Sequence, residues 1–555
     1  MIRSTLGPAT AAAMLAAAAC AGIAPAPPAS PAALSDAAST SAAISEADLR
    51  TRLYLVADDS MGGRPTGSPG HIKVTEYIAS EMRRLGLQPA GDDGTYFQNV
   101  PFVRRAPSGS ITVDGAPLTL WTDVAPFDAN TPTPSFDGAQ VIFGGVVNDS
   151  TTWISRDDAA GKFVVLRAPG TGIFLGRGRP GSRFEHAAAV AVVHADQGRG
   201  VWNQLRGGGP VMKRAPQPAE PQPLLLVASG ATKLFGVPWD TTMRPGTVGR
   251  VVRGTISYTE TPVVGRNVVA ILPGSDPALR GQYVAVGAHS DHDPTRAFSV
   301  DHDSLRTYNA IARRMRVEKG SPLNAQDRAA IRVNVDSLRA IRPARRDSIL
   351  NGADDDGSGT VAVLEIAEAM MAAPVKPRRS TLFIWHVAEE LGLFGAQYFT
   401  DNATVPRDSI VAQLNIDMIG RGGEGEEVGG GPTYLQLIGW RRLSNQLGDV
   451  VDAANAALPQ PFRFDLTYDA DGHPENFYCR SDHYMYARYS IPVVFFSTGS
   501  HGDYHQVTDE PQYIDYTKLQ NVTSLIHDVA VRTGNLARRP VVDGVRPDPN
   551  AQCRQ

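Results

Sequence analysis

Apolar runs of strand length alternate with helical patterns over the second half of the chain. β-rich runs occupy residues 267–272, 283–288, 381–386, 411–416, 434–438 and 492–496. Residues 359–371 instead have the apolar periodicity of a helix. Such alternation is typical of parallel strands joined by helical crossovers. The pattern therefore predicts an α/β fold in which helices cover a mainly parallel, mixed sheet.

The first half of the chain shows two different patterns. Residues 46–87 are helical in pattern, with a break at 62–67. From 115 to 258, short β-rich runs alternate with Gly and Pro. We therefore predict a β-rich domain of residues 115–258, inserted between the two parts, 46–114 and 259–534, of a discontinuous α/β domain.

A long polar insertion, residues 295–350, interrupts the α/β domain. It contains two amphipathic, Arg-rich helical stretches, and Asn324 with Asp327 three residues later forms a helix-capping pattern. A structureless loop of this length is uncommon, so we predict a small helical subdomain. Its arginines are interpreted as a solvated face, and the alternative is a lid over the functional site. The tail, 535–555, is predicted to be irregular.

Length and charge limit the possible classes of protein. The 555 residues exceed what one compact core holds, so two or three domains are expected. The formal net charge is only −4, and no basic patch points to a nucleic-acid partner. The sequence leaves the oligomeric state open.

The N-terminus has a secretory pattern. Arg3 precedes an Ala-rich apolar run that ends at Cys20 and is too short to span a membrane. We predict a signal peptide of residues 1–19. The residues before Cys20 resemble a bacterial lipoprotein cleavage box, which predicts a lipid anchor at this cysteine in the cell envelope. The alternative is simple cleavage, which gives a periplasmic or secreted protein. Residues 20–45, rich in Ala, Pro and Ser, are predicted to be a disordered tether.

The two other cysteines bear on the same question. An exported protein can join Cys479 to Cys553, because disulfides persist in oxidising compartments. Spacing alone does not place the two side chains together, so two unrelated thiols remain an equal alternative.

Residues that bind metals follow the predicted strands of the α/β domain. Because the carboxyl ends of parallel strands meet at one edge of a sheet, we expect these side chains to converge. Imidazoles combined with carboxylates suit zinc or a similar divalent ion. The groups are His289-Ser290-Asp291, Asp354-Asp355-Asp356, Glu389-Glu390, Asp417, and His501 to His505.

These motifs resemble, in order, those of the co-catalytic zinc peptidase family. They read His-x-Asp, Asp-Asp-x-x-Ser-Gly, Glu-Glu-Leu-Gly-Leu-x-Gly, Asn-x-Asp-Met-Ile-Gly and Tyr-His. That family includes bacterial zinc aminopeptidases, glutamate carboxypeptidase II and the catalytically silent transferrin receptor. The resemblance covers about 46–114 and 262–534. The β-rich part is similar to the protease-associated domain that many members carry as an insertion.

The resemblance implies a pair of zinc ions. His289 and Asp417 would bind one ion, and Glu390 and His505 the other. Asp355, which stands three residues before Ser-Gly, would bridge the two ions.

The resemblance also implies the catalytic roles. Glu389 would be the general base. Asp291 would hold His289 in the correct tautomer. Tyr504 stands where some members have a tyrosine that stabilises the oxyanion.

The implied function is that of an exported zinc exopeptidase that acts on peptide or small protein substrates, most simply an aminopeptidase. A carboxypeptidase or dipeptidase on the same scaffold is the nearest alternative, and an Arg-lined pocket would favour it. A glutaminyl-cyclase-like transferase uses one zinc, so the second ligand pair argues against it. A receptor-like binding protein would lack ligands, and here none is replaced.

Other polar residues near these motifs receive structural interpretations. Ser481, Asp482 and His483 have the residue types of a catalytic triad, but sequence neighbours rarely form one, so we assign them to a helix start or to supporting hydrogen bonds. His386 is interpreted as a core histidine. Asp354 and Asp356 are interpreted as loop carboxylates. A solvated loop is predicted for His292, Asp293, Asp301, His302 and Asp303.

Overall fold

The computed structural model describes residues 40–126, 136–147, 149–168, 182–194, 209–213, 221–240 and 242–555. The predicted signal peptide, Cys20 and most of the predicted tether lie outside these residues. Within the described part of the chain, no helix combines the length and apolar composition needed to cross a bilayer.

Each of the six apolar runs predicted in the second half of the chain forms a strand. The described strands are β1 Gln88–Pro89, β2 Phe97–Val113, β3 Ala116–Leu118, β4 Val124–Pro126, β5 Ala139–Val146, β6 Phe163–Arg167, β7 Ala189–His194, β8 Val211–Met212, β9 Gln222–Val227, β10 Val248–Leu272, β11 Tyr283–His289, β12 Val300–Asp301, β13 Arg346–Asp347, β14 Ser380–His386, β15 Ile410–Ile416, β16 Tyr434–Ile438, β17 Arg463–Asp465 and β18 Val493–Ser497.

Helices flank these strands in the described residues. They are α1 Glu46–Val56, α2 Pro69–Leu85, α3 Arg156–Ala159, α4 Ala228–Phe235, α5 His302–Lys319, α6 Ala325–Ala330, α7 Val335–Ile341, α8 Gly359–Ala372, α9 Phe394–Asp401, α10 Asn445–Ala456, α11 His483–Ala487 and α12 Tyr516–Asn535. Local signals set their ends: Ser68 accepts the amide of His71 at the start of α2, and Gly86 ends that helix in a left-handed conformation.

The centre of the sheet is parallel. Its strand order is β17-β16-β18-β15-β11-β14-β10, after which the sheet continues through β5, β6, β7, β9 and β4. The four strands β14, β11, β15 and β18 run parallel to one another. All residues of β14 and β15 are buried, as expected for strands covered on both faces. The predicted α/β fold with a mainly parallel, mixed sheet is confirmed.

Alternate residues of β14 pack into two hydrophobic cores, one on each face of the sheet. Phe383 and Trp385 pack into the core formed with α1, α2, α8 and α12. Leu382 and Ile384 point to the opposite core, which includes residues of α9 and α11. This follows from the two-residue period of a strand. The sheet is thus clamped between helices, and its carboxyl edge is held in a fixed place.

The β-rich part continues the same sheet. β2 and β10 pair along their length, from Phe97 opposite Val268 to Val113 opposite Val252. The predicted boundary at residue 258 therefore falls inside a single strand and not in a linker. Within the β-rich part, β5, β6, β7 and β9 are parallel and contribute to a separate hydrophobic core. Its assignment as a protease-associated domain stays a prediction.

The insertion of 295–350 is helical in the structure. It contains α5, α6 and α7, and Asn324 and Asp327 form a reciprocal capping box at the start of α6. The interpretation of its arginines as a solvated face is wrong for Arg313, but it agrees with the exposure of Arg314, Arg328, Arg332, Arg342 and Arg346. Arg313 is 8% exposed and donates to Glu427 at 2.5 Å. The reason is that acidic loops of the α/β part face the insertion, and buried charges need partners.

The C-terminal tail is fastened to the α/β part. Cys479 and Cys553 form a disulfide with their Cα atoms 5.8 Å apart. The Gln555 side chain accepts the backbone amide of Tyr478 at 3.1 Å. Residues 536–555 contain no helix or strand, and they support the loop that precedes α11.

This disulfide closes a loop of 74 residues, so its loss is expected to destabilise the chain. We expect Cys553→Ser to lower the free energy of unfolding by about 2–4 kcal/mol, because the unfolded chain gains conformational freedom. Denaturant titration measures this difference. A reducing agent should destabilise the parent protein but leave the variant unchanged. Equal stability of the parent with and without reductant would contradict the prediction.

Candidate metal centre

The metal-binding residues of the sequence motifs meet at the carboxyl edge of the parallel strands. His289 is the last residue of β11, and Asp417 directly follows β15. Glu389 and Glu390 lie in the turn after β14, and His505 lies in the loop after β18. The convergence expected from the topology is present.

Asp355 stands at the centre of the group. Its Oδ1 lies 3.2 Å from His289 Nε2, and its Oδ2 lies 2.9 Å from His505 Nε2. Glu390 Oε2 is 3.2 Å from His505 Nε2, and Asp417 Oδ1 is 3.8 Å from His289 Nε2. One carboxylate thus faces two sets, each with one imidazole and one further carboxylate.

Several atoms of this group are buried close to one another but form no well-aligned hydrogen bond within the described residues. They are His289 Nε2, Asp355 Oδ2, Glu390 Oε1 and His505 Nε2. A buried polar atom without a partner costs about 1–3 kcal/mol. Imidazole nitrogens and carboxylate oxygens that lie this close together are the ligand types of zinc. The residues present therefore fit zinc or a similar divalent ion.

The charges in the group lead to the same conclusion. Burial raises the pKa of Glu389 well above its usual range, and Asp417 and Glu390 add to this effect, while His289 opposes it. Burial raises the pKa of Asp355, but the imidazoles of His289 and His505 outweigh it and hold that pKa well below its usual range. Four carboxylates thus lie close together among neighbouring imidazoles, and a divalent cation would supply positive charge that relieves their repulsion.

The two adjacent glutamates face different partners. Glu390 approaches His505, while Glu389 lines an adjoining pocket together with Asp355 and Asp417. Glu389 Oε2 is 3.9 Å from His289 Nε2. This divergence leaves one glutamate at the candidate ligands and the other at the space where a substrate could enter.

Asp291 supports His289 by a different atom from the one expected. The Asp291 backbone carbonyl oxygen lies 3.1 Å from His289 Nδ1, whereas its carboxylate oxygen is 3.8 Å away. The carboxylate instead accepts the hydroxyl of Thr66 and the amide of Glu389, each at 3.2 Å. Burial raises the pKa of Asp291 to about 7.

Asp354 and Asp356 are buried, and the interpretation of simple loop carboxylates is wrong. Asp356 accepts the backbone amides of His289 at 3.1 Å and Gly359 at 2.8 Å. Asp354 accepts the amide of Gly420 at 2.6 Å. These carboxylates accept hydrogen bonds from backbone N–H groups that have no partner in a helix or strand. They therefore hold the segments around Asp355 in place.

His292 was missed by the sequence interpretation. It is 1% exposed, and its Nδ1 lies 2.6 Å from Glu390 Oε1 and 3.9 Å from Asp355 Oδ2. Only its place in the run His289-Ser290-Asp291-His292 signalled a role. The predicted solvated loop is also wrong for His302 and Asp303, which are buried and contact Arg345.

The part of the chain that contains this site matches a known protein family. Residues 267–530 match the family model described as "Peptidase family M28". All the candidate ligands lie inside the matched range. This part of the chain is thus similar to peptidase family M28.

The M28 region also matches curated proteins over shorter stretches. Leupeptin-inactivating enzyme 1 of Streptomyces exfoliatus is 44% identical over 77 residues, which is 13% of this chain and 18% of that protein. Leucine aminopeptidase 1 of Aspergillus fumigatus is 27% identical over 179 residues, or 30% of this chain and 43% of that protein. The matches thus span less than half the length of these relatives.

Solved structures resemble the chain over most of its length. An aminopeptidase from Aneurinibacillus sp. strain AM-1 has a TM-score of 0.49 and 16% identity, covering 91% of this chain and 97% of that one. A zinc aminopeptidase from Bacillus subtilis has a TM-score of 0.48 and 16% identity, covering 91% and 99%.

In the M28 domain, Ser481 and His386 have supporting roles. Ser481 donates to Asp417 Oδ2 at 2.7 Å and accepts from Asn415 at 2.8 Å. His386 lies 3.1 Å from Asp482 and 3.0 Å from the Tyr486 hydroxyl, inside the core. The Ser481 hydroxyl is thus engaged by a candidate ligand, and α11 begins at His483. Both interpretations agree with the structure.

The Ser481 hydrogen bond should tune the M28 domain's affinity for metal. We expect Ser481→Ala to weaken zinc binding about 10- to 100-fold, because Asp417 loses the donor that orients it. Competition titration with a chelating dye measures this affinity. Ser500→Ala is the matched control, since Ser500 lines the same pocket without a hydrogen bond to Asp417 in the described structure. Equal affinities in both variants would exclude the role.

Proposed function

We propose that this chain is a dinuclear zinc exopeptidase, and specifically an aminopeptidase. The observation that carries the proposal is the Asp355 carboxylate between His289 and His505, with atoms that are buried and unpartnered in the described structure. The match of residues 267–530 to peptidase family M28 supports hydrolysis of peptide bonds. The relatives named leucine aminopeptidase support action at an N-terminus.

In this proposal each ion has two ligands of its own. His289 and Asp417 would hold one ion, Glu390 and His505 would hold the other, and Asp355 would contribute to both. Zinc, when bound, supplies Lewis acidity, which polarises the scissile carbonyl and acidifies water. The buried carboxylates then become ligands, and their repulsion is relieved.

Glu389 is the proposed general base. It lies at the pocket beside the ligands, and it remains without an ion pair to Lys or Arg in the described structure. Its carboxylate takes a proton from the attacking water and passes it to the amine as the C–N bond breaks. Asp291 accepts the Glu389 amide and so orients the turn that carries the base.

Tyr504 is proposed to stabilise the oxyanion. Its side chain lines the pocket next to Glu389, and its ring lies 3.9 Å from that of His505. Burial, together with the negative charges of Asp355 and Glu390, raises the pKa of Tyr504 far above its usual value. The phenol therefore stays protonated and can donate a hydrogen bond.

A dipeptidase or carboxypeptidase is the second candidate. Arg480 lines the same pocket as Glu389, and a guanidinium is the usual partner of a peptide's terminal carboxylate. This one arginine is the observation that favours the second candidate.

We also propose export, with Cys20 as a lipid anchor. The N-terminal pattern and the Cys479–Cys553 disulfide support an oxidising compartment, because disulfides are rare in the cytosol. One lipid chain holds a protein only marginally, so stable anchoring requires a second.

Chelation tests the proposed metal and the direction of cleavage. We expect a strong chelator to abolish hydrolysis of leucyl peptides and zinc to restore it, with metal analysis giving two ions per chain, because Asp355 faces two ligand sets. Peptides with an acetylated N-terminus are the control and should resist an aminopeptidase. Full activity of metal-free protein would overturn the proposal, and cleavage of the acetylated peptides would favour the second candidate.

Substitution of Glu389 and substitution of Glu390 should impair different properties, turnover in the first case and metal binding in the second. Glu389→Gln is expected to keep both ions and lose about 10²–10⁴-fold in turnover, because the proton acceptor is gone. Glu390→Gln should bind the second ion much more weakly, because a neutral amide replaces a charged ligand. Metal content measured beside turnover separates the two effects. Loss of zinc in Glu389→Gln with both ions retained in Glu390→Gln would show that the roles are reversed.

A further inference from the structure

Arg480 is the one cationic residue among the described residues that line the pocket beside the candidate metal centre. The other lining residues include Phe477, Phe495 and Met418, which are apolar, and Ser481, whose hydroxyl is engaged by Asp417. The carboxylates in the lining are those of Asp355, Glu389 and Asp417, which the proposed metal chemistry uses. Arg480 is therefore the charged group of this pocket that has no part in that chemistry.

The guanidinium of Arg480 is only loosely engaged. Its Nη2 is 3.4 Å from the Tyr504 hydroxyl, and its Nη1 is 3.7 Å from Glu475 Oε2 and 3.5 Å from the Glu475 carbonyl oxygen. These distances are longer than those of ordinary charge-assisted hydrogen bonds, about 2.7–2.9 Å. An arginine has five N–H donors, so several remain for another partner.

The Glu475 carboxylate is shared between Arg480 and a second arginine. The same carboxylate lies 3.5 Å from Arg316 of α5, in the insertion. Both contacts are long, and the Glu475 side chain is 43% exposed, so water weakens them. The positive charge at Arg480 is left largely available to the pocket.

The position of Arg480 is nevertheless fixed. Its guanidinium carbon lies 4.9 Å from the centre of the Phe477 ring. Its neighbour Cys479 is joined to Cys553, and Ser481 on its other side is bonded to Asp417. A donor with a rigid base and free N–H groups is suited to bind a ligand without a large loss of side-chain entropy.

We infer that Arg480 binds a carboxylate of the substrate in the pocket beside the metal centre. The inference rests on the proposed peptidase function and narrows its substrate class to peptides that carry an acidic group near the cleaved bond. That group is either the terminal carboxylate of a dipeptide or the side chain of an acidic N-terminal residue. In both cases Arg480 determines specificity through binding, and the proton transfers remain with Glu389.

Matched substrates distinguish the two sources of the carboxylate. A dipeptide is compared with its C-terminal amide, and an N-terminal Glu substrate with its Gln counterpart. We expect the parent protein to prefer the acidic member of one pair, and Arg480→Gln to lose that preference by about 10- to 100-fold, mainly through KM. Arg480→Glu should reverse it, and Arg480→Lys should keep part of it. Arg314→Gln on α5 is the control for loss of a positive charge elsewhere.

Binding separates this inference from the function on which it rests. Calorimetry with the same four peptides on Glu389→Gln, with and without Arg480→Gln, requires no turnover. Tighter binding of an acidic peptide that depends on Arg480 supports the inference, even if the protein hydrolyses none of them. Equal losses for acidic and neutral partners in both assays would overturn it and assign Arg480 to support of Tyr504.

Discussion

Everything in the site depends on keeping the Asp355 carboxylate buried between two histidines. A charged group without water costs several kcal/mol unless partners or a cation compensate. Here each oxygen of Asp355 faces an imidazole, and the flanking carboxylates of Asp417 and Glu390 add further negative charge. The fold therefore holds a group of residues that is unfavourable by itself and becomes favourable when divalent cations are bound.

Backbone amides and loop carboxylates hold this group in place. Asp356 accepts amides from β11 and α8, and Asp354 accepts an amide from the loop after β15. Arg64, in the turn between α1 and α2, donates to the carbonyl oxygens of Ser290 and Gly352. Buried hydrogen bonds thus tie the strand ends and turns next to His289, Asp355 and Asp417 to their neighbours. Such support restricts ligand motion and favours a defined metal geometry.

The insertion contacts loops of the site and contributes none of the five proposed ligands. Arg306 pairs with Asp503, and Arg296 donates to the His505 carbonyl oxygen at 3.3 Å. Arg316 approaches Glu475, which Arg480 also approaches. These contacts join the insertion to the loop of His505 and to one wall of the pocket. The insertion is thus placed to influence how a substrate meets Arg480 and Tyr504.

The sequence by itself determined the parallel centre of the sheet, because apolar strands and helical crossovers leave few ways to bury their surfaces. It also determined which residues could meet, since the motifs of His289, Asp355, Glu389-Glu390, Asp417 and His505 follow strands that end at one edge. Only the tertiary structure decided what surrounds them. The burial of His292, the carbonyl contact of Asp291 and the long β10 depend on neighbours far away in sequence. From the sequence alone, a loop rich in charged residues is predicted to be exposed to solvent. The loops that bury it come from distant parts of the chain, and only tertiary packing brings them together.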